Sequence, residues 1–464
     1  MREKERRLEG RDLLLVGFTL FSMFFGAGNL IFPPNIAAQA GTQTWPAMLG
    51  LALSAVGLPV LGVVAVARSG GLDALGSRVH PAFARVFTIV AYLAIGPCLA
   101  IPRTATTSFE MAVPPFVGAD APIGVYQLVY SLVFFAAALF IALRPEKLTD
   151  RLGKILCPIL VALIVVTFVG CLVNPLEGYG PATGDYATHA VVKGFIEGYQ
   201  TMDTIAALNF GIIIALNIRA KGVQEDGAVV RETVKAGVIA GLLMAAVYVA
   251  LAHIGAPAGA KMRYPGNGAR ILTFVADSLF GRAGMILLGM IFFIACLNTC
   301  VGLLSCCSEY FSTILPVVGY RLWVVVFAGV SLLISNAGLD RILQFSVPVL
   351  NAIYPVAIML IALAFLNPLI KGWKRVYPCA ILFTGAASVL YALEECSFLD
   401  KVLPWLLGRL FGNAVSGAAA AAGVRLEALL ALLPGYEAGL GWILPAAAGC
   451  ALGILLSLAG GRED

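Results

Sequence analysis

The apolar stretch over residues 13–40 is long enough to cross a bilayer, yet Gly26-Ala27-Gly28-Asn29 and Pro33-Pro34 interrupt it. A membrane helix must satisfy its own backbone polar groups, because hydrocarbon offers them no partners. Two glycines, an asparagine and two prolines loosen that ladder where loosening is most costly. Such a break survives where freed carbonyls and N–H groups line a cavity and hold an ion or a polar solute. A second interruption, Gly198-Tyr199-Gln200-Thr201-Met202-Asp203-Thr204, follows much later. Paired broken spans point to a secondary transporter.

Composition places the chain in a bilayer. Of its 464 residues 60% are hydrophobic and 12% charged, with a mean hydropathy of +0.92, whereas soluble domains carry about 25% charged residues. An all-α polytopic membrane protein is expected, and a large soluble core is excluded. The net charge of +5 comes from basic residues scattered among short loops, so no nucleic-acid partner is expected and no protein partner is implied. The first long apolar run has full spanning length and no small-residue cleavage site in the usual place, so no cleavable signal is expected.

No catalytic constellation is visible. His80, His189 and His253 are widely separated. Cys296 and Cys300 lie one helical turn apart, with Cys306-Cys307 further on, but no histidine is near and no paired CxxC motif exists. They read as small buried hydrophobes rather than metal ligands. Neither an enzyme nor a bound cofactor is expected, a coupling cation aside.

Apolar runs of about 20 residues, the length that crosses hydrocarbon, fall near 13–40, 46–67, 83–107, 122–143, 153–173, 192–217, 229–254, 278–307, 319–336, 342–366, 376–393 and 438–459. Twelve transmembrane helices are expected, the eighth long enough to tilt or project. The interval 397–437, with Leu403-Pro404-Trp405-Leu406-Leu407, reads as an amphipathic or re-entrant linker.

Lysine and arginine placement sets orientation. Arg2, Lys4, Arg6, Arg7 and Arg11 precede the first span, and alternate connections carry further clusters: Arg68, Arg78 and Arg85; Arg144, Lys147, Arg151 and Lys154; Arg219, Lys221, Arg231 and Lys235; Lys371, Lys374 and Arg375. Both termini are therefore expected in the cytoplasm. Lys261, Arg263 and Arg270 dissent, on a glycine-rich outer connection read as an external gate element. After a cytoplasmic tail (1–12), spans one to five (13–173) and six to ten (192–366) enter from opposite sides. By that count they are expected to form inverted five-helix repeats, each opening on a discontinuous helix, with two more spans in 376–464.

Several motifs are recognisable. Gly17-Phe18, the run from Phe24 to Pro34, Trp45-Pro46-Ala47, Gly57-Leu58-Pro59, Ile101-Pro102-Arg103-Thr104-Ala105, Gly198 to Asp203 and Ser308-Glu309-Tyr310-Phe311 resemble the signatures of bacterial branched-chain amino acid:cation symporters. The similarity runs from the first span to the twelfth. It implies import of leucine, isoleucine and valine across the bacterial inner membrane, driven by a sodium or proton gradient. It also implies the leucine-transporter fold of the amino acid–polyamine–organocation superfamily, with helices one and six unwound midway.

A zwitterionic substrate needs donors for its carboxylate, acceptors for its ammonium and an apolar pocket. Half-helix N-termini present N–H groups and half-helix C-termini present carbonyls, so no charged side chain is required. The carboxylate is expected at the backbone of Ala27, Gly28 and Asn29. The ammonium is expected at carbonyls near Phe24 and Phe25 and at those of Gln200 and Thr201. Close helix packing is the competing role for Gly26 and Gly28. Met202, Phe24, Ile205 and Tyr92 are candidates for the side-chain pocket. Aliphatic pockets discriminate by only about 1–3 kcal/mol per methylene, so poor separation of the three substrates is expected. For sodium, the resemblance suggests the carbonyls of Ser22, Phe25 and Ala295 with the side chains of Asn298 and Thr299; Asn298 departs from the paired hydroxyl residues usual there.

Asp203 and Arg103 are the charges placed within the membrane, where ionisable groups face partners or water. Asp203 is a candidate to bind the ammonium, help hold sodium, take a proton, or cap the second half of span six. Arg103 is expected to pair with Glu110, to sit near the outer gate, or to snorkel. Glu309, ending span eight at the inner face, reads as a gating or surface charge. The alternatives are another neutral amino acid or a nucleobase carried on the same fold, a membrane-embedded enzyme, or a passive channel.

Overall fold

A computed structural model of the chain describes residues 7–118, 120–143, 157–173, 178–262, 266–370, 372–396 and 430–459. Every regular element among them is helical. The first expected span is two helices, α1 (Gly10–Phe24) and α2 (Ala27–Ala40). The second is α3 (Thr44–Ala52) and α4 (Leu58–Ser69), joined through a π-helical turn, Leu53–Gly57. After the short α5 (Leu72–Ser77), the third is α6 (Pro81–Leu93) and α7 (Ala100–Ala112), joined through a second π-helical segment, Ala94–Cys98. Then follow α8 (Ile123–Ala142) and α9 (Cys157–Val173). The sixth expected span is α10 (Tyr186–Glu197), a 3-10 turn over Gly198–Thr201, and α11 (Asp203–Ala220). The rest are α12 (Asp226–Lys261), α13 (Gly268–Ile314), α14 (Tyr320–Ser335), α15 (Leu339–Ile370), α16 (Val376–Glu395) and α17 (Ile443–Ala459).

Eight helical runs among the described residues are long and apolar enough to cross a bilayer, and Ile164–Val173, Tyr320–Ser335 and Ile443–Ala459 are shorter apolar helices. The packing of α8 places polar side chains inward and apolar ones outward. On α8, Val125, Val129 and Val133 are 54–62% exposed while Gln127 and Ser131 are buried. Gln127 Nε2 donates to the Ser335 carbonyl at 2.5 Å, and Ser335 Oγ to Ser131 Oγ at 3.2 Å. Polar groups thus meet between helices and hydrocarbon side chains face outward, as lipid demands.

The connection before span eight differs from expectation. Residues 255–261 continue α12 and 268–277 already belong to α13, so the connection between these helices shrinks to 262–267; within it 263–265, including Arg263 of the expected gate element, lie outside the described residues. The glycines there serve contact. A Cβ at Gly255 would lie 2.4 Å from Pro34 Cα, one at Gly259 2.0 Å from the Ala38 carbonyl oxygen, and one at Gly268 1.8 Å from that of Ile31. Small residues let membrane helices approach to backbone contact, and here they seat α2 against α12 and α13. Arg270 pairs instead with Asp340 at 3.9 Å. At the other end α13 runs on to Ile314, so the exposed Glu309 does not terminate it. The helix bends once, at Gly281 (φ +55°, ψ −145°), a conformation open to glycine. The expected linker at 397–437 lies outside the described residues as far as 429, and beyond Leu430 a chain of turns leads to α17.

The chain divides into two compact units. The first comprises residues 1–68 and 89–343. In it α2 is buried along most of its length, α7 runs along α13, and α1 lies on α12. The second comprises 69–88 and 344–464. There α17 meets α16 at Gly449 and Gly453, the latter's Cβ position being 2.6 Å from Val376 Cα. Arg78 Nη1 donates to the Tyr377 hydroxyl at 3.1 Å, which donates to the Leu363 carbonyl at 2.9 Å.

Candidate functional site

Within the first unit the two interrupted spans face one cavity. Phe24 closes α1, and Phe25 (ψ +98°) and Gly26 (φ −132°, ψ −162°) are extended before α2 begins. Any residue adopts that backbone, so Gly26 is needed for space: its Cβ would lie 2.7 Å from Thr299 Oγ1. At Gly28 a Cβ would lie 3.0 Å from Arg103 Nη2 and 3.2 Å from Thr201 Cα. Both glycines therefore carry the close packing weighed from sequence. No side chain caps the first turn of α2, whose N–H groups at Ala27, Gly28 and Asn29 have no partner within their own helix.

The break in span six turns on Met202, whose φ of +66° is the one positive value at a non-glycine among the described residues. Strained residues of this kind cost about 1–3 kcal/mol and cluster at functional sites. Thr201 Oγ1 donates to the Gly198 carbonyl at 2.9 Å, closing the 3-10 turn. The π-helical turn of span two supports it from behind, because Thr204 Oγ1 donates to the Ser54 carbonyl at 3.2 Å. Such bulges release backbone groups and recur at functional sites. Neither π segment was anticipated, although Gly96-Pro97 within the second is a visible breaker.

Asn29 links the breaks. Its Nδ2 donates to the Phe24 carbonyl at 2.8 Å and, over a longer 3.4 Å, to Asp203 Oδ1. The Tyr248 hydroxyl donates to Asp203 Oδ2 at 3.4 Å. Arg103 is 3% exposed, which departs from a snorkelling position. It reaches from α7 to span six, where Nη1 donates to the Gln200 carbonyl at 2.5 Å and Nη2 to the Thr201 carbonyl at 3.4 Å. The carbonyls assigned to a substrate ammonium thus hold the protein's own cation. Helical register explains the change: Arg103 sits on the inward face opposite the span-six break, and its guanidinium lies 5.6 Å over the Phe32 ring.

The cavity measures about 30 Å³ and is lined by Phe24, Gly26, Ala27, Gly28, Asn29, Arg103, Thr201, Met202, Asp203 and Thr299 among others. That is room for a water or so, so a branched side chain enters only if the lining parts. Ile95, Ala100, Thr104, Ala206, Phe210 and Leu303, also in the lining, were not singled out from sequence. Tyr92 and Ile205 fall outside it. Tyr92 stacks on Tyr310 with centroids 4.0 Å apart, and Ile205 is buried, its carbonyl accepting from Asn209 Nδ2. Phe25 stacks on Phe21.

Between spans one and eight, Thr299 Oγ1 donates to the Phe25 carbonyl at 3.3 Å and Asn298 Nδ2 to Ser22 Oγ at 2.9 Å. Ala295 is buried one turn before Asn298. The cluster supplies hard oxygen donors of the type that alkali and alkaline-earth cations take. Asn298 presents its donor to Ser22, so its oxygen joins the set only if the amide turns over. Among the described residues no group of three or more His, Cys, Asp or Glu is arranged to hold a metal.

The chain matches the family described as "Branched-chain amino acid transport protein" over residues 9–459. It is 38% identical over 449 residues to the branched-chain amino acid permease BraB of Bacillus subtilis, covering 97% of this chain and 96% of the relative. It is 40% identical over 442 residues to the branched-chain amino acid transport system 3 carrier protein of Pseudomonas aeruginosa, covering 95% of each. Among solved structures it resembles a Na+-coupled sialic acid symporter (TM-score 0.59, 12% identity, 97% of this chain and 91% of the other). It also resembles MhsT in complex with L-phenylalanine (TM-score 0.55, 18% identity, 96% and 100%). These likenesses are of fold, the leucine-transporter fold that the family resemblance implied.

Proposed function

The chain belongs to the branched-chain amino acid transport protein family, and from that premise we propose that it is a secondary symporter importing leucine, isoleucine and valine with a cation, sodium or proton, by alternating access. One observation carries this reading: residues from the breaks of both interrupted spans line a single cavity, bridged by Asn29. The open first turn of α2 receives the carboxylate at Ala27, Gly28 and Asn29. Met202 and Phe24 provide apolar wall, and Asp203 stands where an ammonium needs an anion. Ser22, Phe25, Ala295, Asn298 and Thr299 form the sodium site. Cation binding there stabilises the arrangement that accepts substrate, with a coupling of about 1–3 kcal/mol. Arg103 takes part in coupling, and Glu309 acts as a gating charge.

In the same reading the chain crosses the inner membrane of a bacterium twelve times with both termini in the cytoplasm. Its first ten spans form two inverted repeats, 13–173 and 192–366, followed by two more in 376–464. Names of the relatives support the substrate class, and the apolar, multi-span chain supports the membrane setting.

Leucine uptake into proteoliposomes, under sodium and proton gradients imposed separately, tests the proposal. One gradient should concentrate leucine, with competition by isoleucine and valine but not by alanine or uracil. Failure to concentrate leucine under both gradients removes the reading, and stronger competition by uracil or alanine reassigns the solute.

A further inference from the structure

The cavity between the broken spans has one cation and one anion in its described lining, Arg103 and Asp203, amid apolar walls from Phe24, Met202, Phe210 and Leu303. Both charged residues are 3% exposed. Arg103 lies across the carbonyls of Gln200 and Thr201, and Asp203 occupies the first turn of α11. The carrier's own charges thus occupy the two ends of the span-six break: a cation on the carbonyl side, a carboxylate on the amide side. Nη2 of Arg103 also stands 3.0 Å from the position a Cβ would take on Gly28, beside the uncapped first turn of α2.

Resting on the branched-chain substrate proposed above, we infer that Arg103 reads the substrate's carboxylate, turning its guanidinium from the span-six carbonyls toward an anion seated at Gly28. That turn frees the Gln200 and Thr201 carbonyls for the ammonium, whose charge Asp203 balances. The guanidinium in the cavity is thereby a stand-in for the ammonium. A carboxylate taken out of water needs a charged partner, and guanidinium matches it with parallel N–H donors. Backbone N–H groups alone do not distinguish a carboxylate from a neutral carboxamide as sharply. Arg103 is accordingly the specificity determinant for α-amino acids over amines and amides of the same side chain.

Displacement of radiolabelled leucine from purified protein, by leucine, leucinamide and 3-methylbutylamine, tests this. Wild type should prefer leucine to leucinamide by about tenfold or more. Arg103→Gln should bring that ratio to within about twofold, because the variant lacks the charged contact that sets a carboxylate apart from a carboxamide. Arg103→Lys, a point charge without the fork, should retain an intermediate ratio. Arg103→Gln protein that melts as wild type does and keeps the full preference overturns the inference. Should Arg103→Gln not fold, Arg103→Lys decides: a reduced ratio supports the assignment and an unchanged one overturns it. Wild-type protein that binds no branched-chain amino acid sinks the underlying reading as well, a result distinct from retained preference in the variant.

Discussion

Asn29 and Asp203, 174 positions apart in the chain, meet side chain to side chain, with Asn29 Nδ2 donating to Asp203 Oδ1 at 3.4 Å while the same amide holds the Phe24 carbonyl at 2.8 Å. One amide therefore spans the gap in the first helix pair and touches the start of the second. Asn29→Ala leaves a buried carbonyl and part of a buried carboxylate without this donor, a loss of about 1–3 kcal/mol. Melting temperature and leucine affinity should both fall. If neither moves, the bridge contributes nothing to the site.

Asp203→Asn keeps the shape and removes the charge. Leucine uptake should weaken, and its dependence on the driving ion should flatten. Uptake kinetics across pH and sodium concentration measure this, and wild-type behaviour throughout would reduce Asp203 to a helix cap.

Gly28→Leu should abolish uptake while the protein still reaches the membrane folded. A Cβ there is already 3.0 Å from Arg103 and 3.2 Å from Thr201, and the longer side chain fills the cavity. Membrane-fraction abundance together with leucine uptake provides the check; normal uptake would move the substrate elsewhere.

Thr299→Val removes the hydroxyl that donates to the Phe25 carbonyl. If sodium is the driving ion, the concentration giving half-maximal uptake should rise by roughly tenfold, the value of one lost polar contact. An unaltered sodium curve would place the ion away from spans one and eight.

Met202 supplies a test of the span-six break itself. Both Met202→Ala and Met202→Gly lose a buried side chain, but only glycine is at ease at φ +66°. The glycine variant should be the more stable of the two by about 1 kcal/mol, reversing the order found in helices. Paired thermal melts decide it.

The first break was legible at Gly26, a poor continuation of any membrane helix, and that signal is local; Asn29, Pro33 and Pro34, read as part of the interruption, lie inside α2, which runs unbroken from Ala27 to Ala40. The family motifs added the neighbourhood of Thr299 and Arg103. What Arg103 touches was hidden, since a guanidinium's partner is set by which helices converge on it. The π segment at 53–57 was hidden for a related reason: its hydrogen-bond offset is met by a neighbour, Thr204, rather than marked by composition, whereas the one at 94–98 carries the visible breaker Gly96-Pro97. Gly255, Gly259 and Gly268 misled, because loops and tight helix seams both favour glycine.

That seam has a mechanical corollary. With Gly255, Gly259 and Gly268 pressed against the main chain at Pro34, Ala38 and Ile31, α2 cannot slide along α12 without its carbonyls colliding with neighbouring atoms. Backbone contact of this kind ties α2 to α12 and α13 along one seam. A single methyl at Gly259 would press on the Ala38 carbonyl oxygen and wedge that seam apart from outside the residues that line the cavity.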